Sequence, residues 1–412
     1  MDLNPNLAGL SAERLERITR HLQDRYISSG KIAGCQVLVS RRGVPAYFRS
    51  FGEMDRERGK PVQEDTIFRI YSMTKPITSV ALMMLFEEGH FQLGDPVSRF
   101  IPLWSDLQVW VEGKGNEMKT RAAGSPMTMK DVLCHTAGLT YGGLLFPGPL
   151  HPVDKVYQEL GVSRDEGETL TSFVEKLARV PLRYEPGKAW MYSLATDVCG
   201  ALVEIISGQP FADFLQERIF APLDMQDTGF FVPAEKLERF AANYERRRDK
   251  SLRLIDDPAV SRYRSMPSFP SGGGGLVSTT ADYARFCEML RRGGELDGHR
   301  LIGARTLRLM HMNHLPGGAD LASVAIGGFS ETAYEGVGFG LGFASILDEI
   351  TAMNISAGDY YWGGAASTIF WVDPIEDLYV IFMTQLMPSA TFNFRGQLKN
   401  IIYGAIEDQG SR

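Results

Sequence analysis

The chain has 412 residues, and its 43 lysines and arginines stand against 50 aspartates and glutamates, which gives a formal net charge of −7. Hydrophobic residues make up 44% and charged residues 23%, the proportions of a globular protein of about two to three domains, which excludes a disordered chain, a collagen-like repeat and a coiled coil. The acidic balance argues against a nucleic-acid partner, because phosphate binding needs a basic surface.

The N-terminal part predicts one helix, one hairpin and a second, more apolar helix. The apolar positions of 15–26 recur at helical spacing behind Ser11, a suitable N-cap. Residues 36–40 and 46–51 are two short strand-like runs, joined by a turn that contains glycine. A largely buried helix is expected to start near residue 72 and to end near residue 88.

Short helical stretches, broken by proline and glycine, dominate from about residue 93 to 270, and strands return near the C-terminus. The predicted helices are 129–134, 172–177, 196–206, 211–219, 281–290 and a last one over 394–405, and the predicted strands are 340–346, 368–372 and 378–384. Four glycines at 272–275 are too few for a linker and indicate a close approach of the backbone to other atoms. We therefore predict an α/β (α+β) fold, in which residues 1–92 and 271–412 form an antiparallel sheet flanked by helices and residues 93–270 form an inserted, mainly helical domain.

Neither the cysteines nor the histidines indicate a metal or a disulfide framework. Cys35, Cys134, Cys199 and Cys287 are scattered, with no Cys-x-x-Cys pair, so we predict small buried side chains. Two histidines at 311 and 314 share a predicted helix but lack a third ligand. The sequence thus predicts no metal and no cofactor.

No stretch of the sequence has the pattern of a signal peptide or a membrane span. The first residues include an acid at position 2 and lack the apolar core of roughly 7–15 residues that precedes a cleavage site. The longest apolar run, 80–86, is far shorter than the roughly 20 residues of a membrane span. We therefore expect a cytoplasmic protein without a membrane partner; the sequence carries no indication of oligomeric state.

The sequence Ser-Met-Thr-Lys that begins at Ser72 is the first candidate catalytic motif. Residues three apart share one face of a helix, so the Lys75 amine can reach the Ser72 hydroxyl. Serine becomes a nucleophile when a base takes its proton, and burial allows a lysine to be that base. In the first turn, the Ser72 N–H can also donate to an oxyanion. The alternative is a capping serine with a solvated lysine; a second Ser-x-x-Lys sequence at 28–31 contains a glycine and ends a predicted helix.

Two later segments carry the other groups that such a reaction needs. Tyr192 follows a Glu-Pro-Gly turn and precedes a predicted helix, where it can share a proton with Lys75 and pass it to a leaving group. Residues 361–365 read Tyr-Trp-Gly-Gly-Ala just before a predicted strand, and the N–H of Ala365 can be a second oxyanion donor. The alternatives are an ordinary core tyrosine and a bulge or hairpin turn.

In this order and at these separations, the three segments resemble the serine β-lactamase and penicillin-recognising superfamily, whose marks are S-x-x-K, then Y-x-N or S-x-N, then K-T-G. Supporting stretches at 93–97, 133–139 and 222–225 are also similar to this family. The resemblance covers about residues 10–405, and it implies the β-lactamase-like fold.

Two departures from the family pattern indicate the subgroup. The second motif ends in Leu194 rather than asparagine, an amide with which class C β-lactamases hold their substrate. Trp362-Gly363-Gly364 stands where those enzymes have Lys-Thr-Gly, so the lysine that helps to hold the β-lactam carboxylate is missing. The pair Tyr-Ser-Leu and Trp-Gly-Gly instead resembles the family VIII carboxylesterases, which share the class C fold.

The resemblance to the family VIII esterases implies hydrolysis of short-chain carboxylic esters through an acyl-serine intermediate. The partners of the protein would then be small-molecule ester substrates. A tryptophan in place of a lysine suits a neutral, apolar acyl or alcohol group. The implied roles are Ser72 as nucleophile, Lys75 and Tyr192 as the general base pair, the N–H groups of Ser72 and Ala365 as the oxyanion hole, and Trp362, Gly363 and Gly364 as substrate-binding residues.

Several functions on the same fold stay open at this point. An acyltransferase uses the same three residues, as do a peptidase, an amidase and a β-lactamase, and a non-catalytic ligand-binding protein is the alternative from another class. No Gly-x-Ser-x-Gly sequence is present, which argues against the α/β-hydrolase reaction centre. We interpret His135 as structural, and Tyr141, Phe146, Trp190 and Phe269 either line the pocket or pack the helical domain.

Overall fold

The computed structural model describes residues 2–143, 149–163, 167–327 and 334–407. Its strands are β1, Gly34–Arg41; β2, Val44–Asp55; β3, Lys60–Pro61; β4, Phe68–Arg69; β5, Gln108–Glu112; β6, Lys119–Ala122; β7, Asn243–Arg246; β8, Leu252–Asp256; β9, Val277–Ser278; β10, Glu295–Leu296; β11, His299–Arg300; β12, Val337–Phe339; β13, Ala344–Ile346; β14, Tyr360–Gly363; β15, Ile369–Asp373; β16, Leu378–Thr384; and β17, Leu386–Met387. Its α-helices are α1, Ala12–Leu22; α2, Thr74–Glu87; α3, Met129–Leu133; α4, Pro152–Glu159; α5, Leu170–Leu177; α6, Ala195–Ser207; α7, Phe211–Leu215; α8, Thr280–Arg291; α9, Ala304–His311; α10, Leu321–Val324; and α11, Phe394–Tyr403.

An eight-stranded sheet forms the centre of the fold. Its strands run in the order β12–β13–β14–β15–β16–β1–β2–β3, and all neighbours are antiparallel. β1–β3 come from the N-terminal part of the chain and β12–β16 from its C-terminal part, which confirms the predicted antiparallel sheet. Every residue of β1 is buried, because this strand lies between β16 and β2 beneath helices on both faces.

Helices α8 and α11 cover opposite faces of the sheet. The ring of Tyr283 on α8 packs 5.1 Å from the ring of Phe370 on β15, and the ring of Phe394 on α11 packs 4.7 Å from that of Phe382 on β16. Phe382 pairs across the strands with Ile369, the residue before Phe370. Consecutive strand residues point to opposite faces, so the two aromatic pairs lie on opposite sides of the sheet.

The predicted helices agree closely with the structure where the apolar residues recur with a clear helical period. Ser11 is the N-cap of α1, and its hydroxyl accepts from the Arg14 N–H at 3.4 Å. The predicted helix at 211–219 is α7 followed by a π-helical turn over Gln216–Phe220. The predicted mainly helical insert also contains two hairpins, β5–β6 and β7–β8, which the sequence pattern did not indicate.

Two strand predictions near the C-terminus need correction. The single strand predicted over 340–346 is wrong, because the chain reverses between β12 and β13, with Gly342 at a φ of +99°. Residues 362 and 363, expected before a strand, lie within β14. The domain boundaries at 92/93 and 270/271 stay a prediction.

The cysteines and the apolar segments can be compared directly with the expectations. All four cysteines are buried and free of disulfides, as predicted. Within the described residues, no single helix has the length and apolar character to cross a membrane; the pair Ala195–Ser207 and Phe211–Phe220, bent by 86°, meets those limits only when joined.

Candidate active site

Ser72 lies in a single 3₁₀ turn, Tyr71–Met73, which leads directly into α2. Tyr71 has a φ of +42°, a left-handed conformation that costs energy for a residue with a side chain. The Asn243 amide donates to the Tyr71 hydroxyl at 3.0 Å, and the Tyr283 hydroxyl donates to the Met73 carbonyl at 3.0 Å. Neighbouring elements therefore hold the strained turn in place from both sides.

Lys75 is buried beside this turn, with 1% of its surface exposed. Its Nζ lies 3.2 Å from Ser72 Oγ and 2.7 Å from the Gly273 carbonyl oxygen. The same atom lies 4.4 Å from the centre of the Tyr192 ring. The structure thus brings Ser72, Lys75 and Tyr192 together, although Tyr192 is far from the other two in the sequence.

A buried carboxylate supports the group that binds Lys75. Asp197 Oδ1 accepts from the Gly273 N–H at 3.0 Å and from the Ser271 hydroxyl at 2.6 Å. Burial raises the pKa of Asp197, while these two hydrogen bonds and the Lys75 cation oppose that shift. The peptide of Gly273 therefore connects the Asp197 carboxylate with the Lys75 amine. Sequence reasoning missed Asp197; its only signal is an acid in the first turn of an otherwise apolar helix.

The glycines at 272–275 allow this arrangement. A Cβ at Gly273 would lie 2.7 Å from Asp197 Oδ2, and one at Gly272 would lie 2.8 Å from the Thr196 carbonyl oxygen. Both distances are shorter than real Cβ contacts. The predicted close backbone approach is confirmed, and it occurs beside Lys75.

Tyr192 is enclosed by aromatic rings. The Trp190 ring stacks on it at 6.2 Å and 21°, and the His135 ring lies 5.0 Å from it. The Trp362 indole N–H donates to the Tyr192 hydroxyl oxygen at 3.3 Å. Trp362 is 1% exposed, so this hydrogen bond joins the third motif to the second in the interior of the protein.

The end of β14 packs against the backbone just before Ser72. The Gly364 N–H donates to the Thr368 carbonyl at 2.7 Å, which closes a turn after the strand. A Cβ at Gly364 would overlap the Ile70 carbonyl oxygen and the Thr368 hydroxyl. Only glycine fits here, and this contact brings Ala365 into the cavity that Ser72 also lines. Gly363 and Gly364 line a separate cleft, so their role in binding stays a prediction.

A cavity of about 300 Å³ lies in front of Ser72 and Ala365. Tyr141 and Phe269, which the sequence left open between pocket and core, both line it. Trp190 is 1% exposed and packs on Tyr192 instead, and residue 146 lies outside the described residues. The apolar and aromatic wall consists of Tyr71, Tyr141, Leu194, Phe230, Tyr263 and Phe269.

His135 lies directly beneath the second motif. Its Nδ1 is 3.1 Å from Ser193 Oγ, and its Nε2 is 3.4 Å from Thr196 Oγ1. Burial lowers the pKa of His135 well below the usual value, and the Lys75 cation adds to the effect. A neutral imidazole therefore holds the residues on either side of Leu194. The structural interpretation of His135 omitted this proximity to the site.

The other candidate sequences lead to no second site. Ser28 is exposed, and Lys31 lies over the Tyr26 ring at 5.5 Å. His311 stacks on the Tyr360 ring at 4.5 Å, and the His314 ring binds the Leu309 carbonyl. In the described part of the chain, no group of three or more histidines, cysteines and acids is arranged to hold a metal.

The stability of the protein is expected to fall in acid because of His311. Burial lowers the pKa of His311 to about 4, and the Arg308 cation adds to the effect, whereas an unfolded histidine titrates near about 6.5. The unfolded chain therefore binds the proton first, and stability is lost as the pH falls from about 6.5 towards 4. The variant His311→Phe preserves a ring against Tyr360 but cannot bind the proton. Between about pH 7 and pH 5, we expect its free energy of unfolding to fall by about 2 kcal/mol less than that of wild type.

Urea unfolding at both pH values measures this difference. The matched control is His299→Phe, which makes the same exchange at an exposed histidine on β11. Equal losses in wild type and His311→Phe would contradict the prediction.

Comparison with known proteins places this geometry among its relatives. The family model described as Beta-lactamase matches residues 15–401. Protein Rv1367c of Mycobacterium tuberculosis (strain ATCC 25618 / H37Rv) is 34% identical over 364 residues, and the match covers 87% of each chain. Esterase EstB of Burkholderia gladioli is 32% identical over 406 residues, with 93% of each chain covered.

A solved structure agrees with the fold over nearly the whole chain. EstCE1, described as a hydrolase with promiscuous acyltransferase activity, superposes with a TM-score of 0.76 at 27% identity. The match covers 96% of this chain and 98% of EstCE1.

Proposed function

Because this chain belongs to the β-lactamase family, we propose that it is a serine carboxylesterase of the family VIII type, which hydrolyses short-chain carboxylic esters through an acyl-serine intermediate. The observation that carries the proposal is the 3.2 Å contact between Lys75 Nζ and Ser72 Oγ at the end of an apolar cavity. An esterase at 32% identity and a hydrolase among the solved structures support it.

In the proposed acylation step, Lys75, once it has given up its own proton, takes the proton of Ser72 as Oγ forms a bond to the ester carbonyl carbon. The N–H groups of Ser72 and Ala365 stabilise the negative oxygen of the tetrahedral intermediate. The bond from carbon to the alcohol oxygen then breaks, and Tyr192 passes a proton to the departing alcohol. Lys75 and Tyr192 exchange that proton in this scheme, and the Lys75 amine lies 4.4 Å from the centre of the Tyr192 ring.

In the deacylation step, water takes the place of the alcohol. Tyr192 and Lys75 accept its proton as the water oxygen attacks the acyl carbon, and the Ser72 oxygen leaves and regains a proton. An alcohol in place of water would give acyl transfer with the same residues. The promiscuous acyltransferase activity of EstCE1 favours this as a second reaction. Adding a primary alcohol to the assay and measuring the new ester tests it.

The second and third motifs disfavour β-lactam substrates. Leu194 lines the cavity and has no amide to hold a peptide-like group. Trp362 is buried against Tyr192 and carries no positive charge for a carboxylate. Neither motif therefore supplies a partner for a substrate carboxylate, and a neutral ester needs none.

The experiment that tests the proposed function compares two chromogenic substrates. We expect p-nitrophenyl butyrate to be hydrolysed far faster than a chromogenic cephalosporin is opened, and Ser72→Ala to lose the ester turnover. A fluorophosphonate probe should label Ser72 in wild type. Faster cephalosporin opening would make this protein a lactamase, and an unlabelled Ser72 without turnover would favour a binding role.

Gly364→Ala is expected to lower kcat/KM for p-nitrophenyl butyrate by about 10²-fold. The added methyl group overlaps the Ile70 carbonyl oxygen, so either Ser72 or Ala365 must move from its position at the cavity, and small misplacements of reacting groups cost about this much. The control is Gly94→Ala, where a Cβ meets no atom within 4 Å. Wild-type kinetics in Gly364→Ala would remove this contact from the mechanism.

The cytoplasmic location, the absence of a membrane or nucleic-acid partner and the absence of a cofactor remain part of the proposal. Small-molecule esters are the substrates that the related esterases indicate. Fractionation of the source cells, followed by detection of the protein with an antibody, tests the location.

A further inference from the structure

Phe230 separates the candidate active site from a second cavity. The first cavity, of about 300 Å³, contains Ser72, and the second measures about 310 Å³. Of the described residues, Phe230 alone lines both. The segment Met266–Pro267 also lies between the two cavities, since Met266 lines the second cavity and Pro267 lines the first.

The Phe230 side chain is held firmly in this position. It is 4% exposed, and its ring packs 5.7 Å from the Phe211 ring. A Cβ at Gly275 would lie 2.9 Å from the Phe230 ring, so the ring fills the space that a side chain would occupy. Two hydrogen bonds between Gly229 and Val277 fix the backbone beside it.

The second cavity suits an aliphatic chain. Ile67, Phe220, Val232 and Val277 line it, and each is at most 2% exposed. Two of its charged lining residues, Asp227 and Lys236, are paired with each other at 2.8 Å, and a third, Asp213, is exposed to solvent. An apolar chain entering this space would therefore bury methylene groups without separating an ion from its partner.

The position of Phe230 relative to Lys75 indicates which half of the ester it faces. The leaving alcohol must lie beside Tyr192 and therefore near Tyr141, whose ring is 5.2 Å from that of Tyr192. The glycines 273–275 form part of the cavity wall. Gly273 binds Lys75, and Gly275, two residues later, lies beside Phe230. The acyl chain, which extends away from the leaving group, thus points towards Phe230.

We propose that Phe230 limits the length of the acyl chain, and that the second cavity is a latent subsite for longer unbranched acyl groups behind it. This inference rests on the proposed esterase function. Wild type is then restricted to acyl chains that end before Phe230. Shortening this side chain joins the two cavities into one continuous acyl site.

Chain-length profiles test the proposal. The ratio of kcat/KM for p-nitrophenyl decanoate to that for p-nitrophenyl butyrate should rise by about 10-fold or more in Phe230→Ala, since added methylene groups gain apolar contacts. Phe230→Leu opens a smaller passage and should show a smaller rise, and it serves if the alanine variant does not fold. Ala212→Leu, which narrows the second cavity from α7, should reverse the rise when combined with Phe230→Ala.

Two controls separate this effect from others. Phe286→Ala removes a buried ring on α8 that lines neither cavity and should leave the ratio as in wild type. For acetate esters of alcohols of increasing length, kcat/KM should not rise in Phe230→Ala relative to wild type. A rise for these esters would overturn the proposal that Phe230 faces the acyl chain. If acetate esters are hydrolysed in a Ser72-dependent reaction but the acyl-chain-length profile of Phe230→Ala equals that of wild type, the Phe230 proposal alone is contradicted. If wild type shows no Ser72-dependent ester turnover, the esterase function is contradicted.

Discussion

Lys75→Met is expected to lower kcat for p-nitrophenyl butyrate by about 10⁴-fold or more, with the fold intact. Methionine fills the volume of the buried side chain but carries no amine beside Ser72 Oγ. Without a base, the serine hydroxyl stays protonated and attacks poorly, and residues of one catalytic unit each cost nearly the whole activity when removed. Steady-state kinetics on the purified variant, with thermal unfolding as the check on folding, measures the loss.

Further variants distinguish proton transfer from charge. Lys75→Arg keeps a positive charge but cannot give up its proton, so it should be as inactive as Lys75→Met. The double variant Ser72→Ala/Lys75→Met should be no slower than either single variant, because both remove the same step. Lys155→Ala, at an exposed lysine on α4, is the control that keeps wild-type kinetics. An active Lys75→Arg would show that charge, rather than proton transfer, is the contribution of Lys75.

Tyr192→Phe is expected to lower kcat by about 10²- to 10⁴-fold, the range for a lost general acid or base. The loss should depend on the leaving group. p-Nitrophenolate leaves readily without a proton, whereas methoxide does not, so the loss should be larger for methyl butyrate than for p-nitrophenyl butyrate. Release of butyric acid, followed by titration, measures both esters on the same scale.

The Trp362 indole provides the matched comparison for Tyr192. Trp362→Phe removes the N–H that donates to the Tyr192 hydroxyl at 3.3 Å but leaves the hydroxyl itself. Loss of one hydrogen bond of this kind corresponds to about a 10-fold change in kcat. If Tyr192→Phe slows both esters equally, Tyr192 is not the group that protonates the leaving alcohol.

The local features of this protein follow from its sequence. Ser72 and Lys75 are three residues apart, and helical geometry places such residues on one face, so the spacing permits the contact that the structure shows. The Ser11 N-cap depends on equally short spacing. β16 was predicted within its observed bounds because a continuous apolar run marks a strand that is covered on both faces. The family motifs placed Tyr192 and Ala365 in the same site, and their roles stay proposals.

Contacts between distant segments needed the fold. Asp197 and Lys75 both bind the backbone of Gly273, and Gly364 meets the backbone at Ile70 across the end of a strand. No periodicity encodes such pairs, because their separation in space depends on how the sheet and the helices pack. The wall that Phe230 forms between two cavities is of the same kind: the sequence shows a phenylalanine, and the packing of Phe211 and Gly275 around it makes it a barrier.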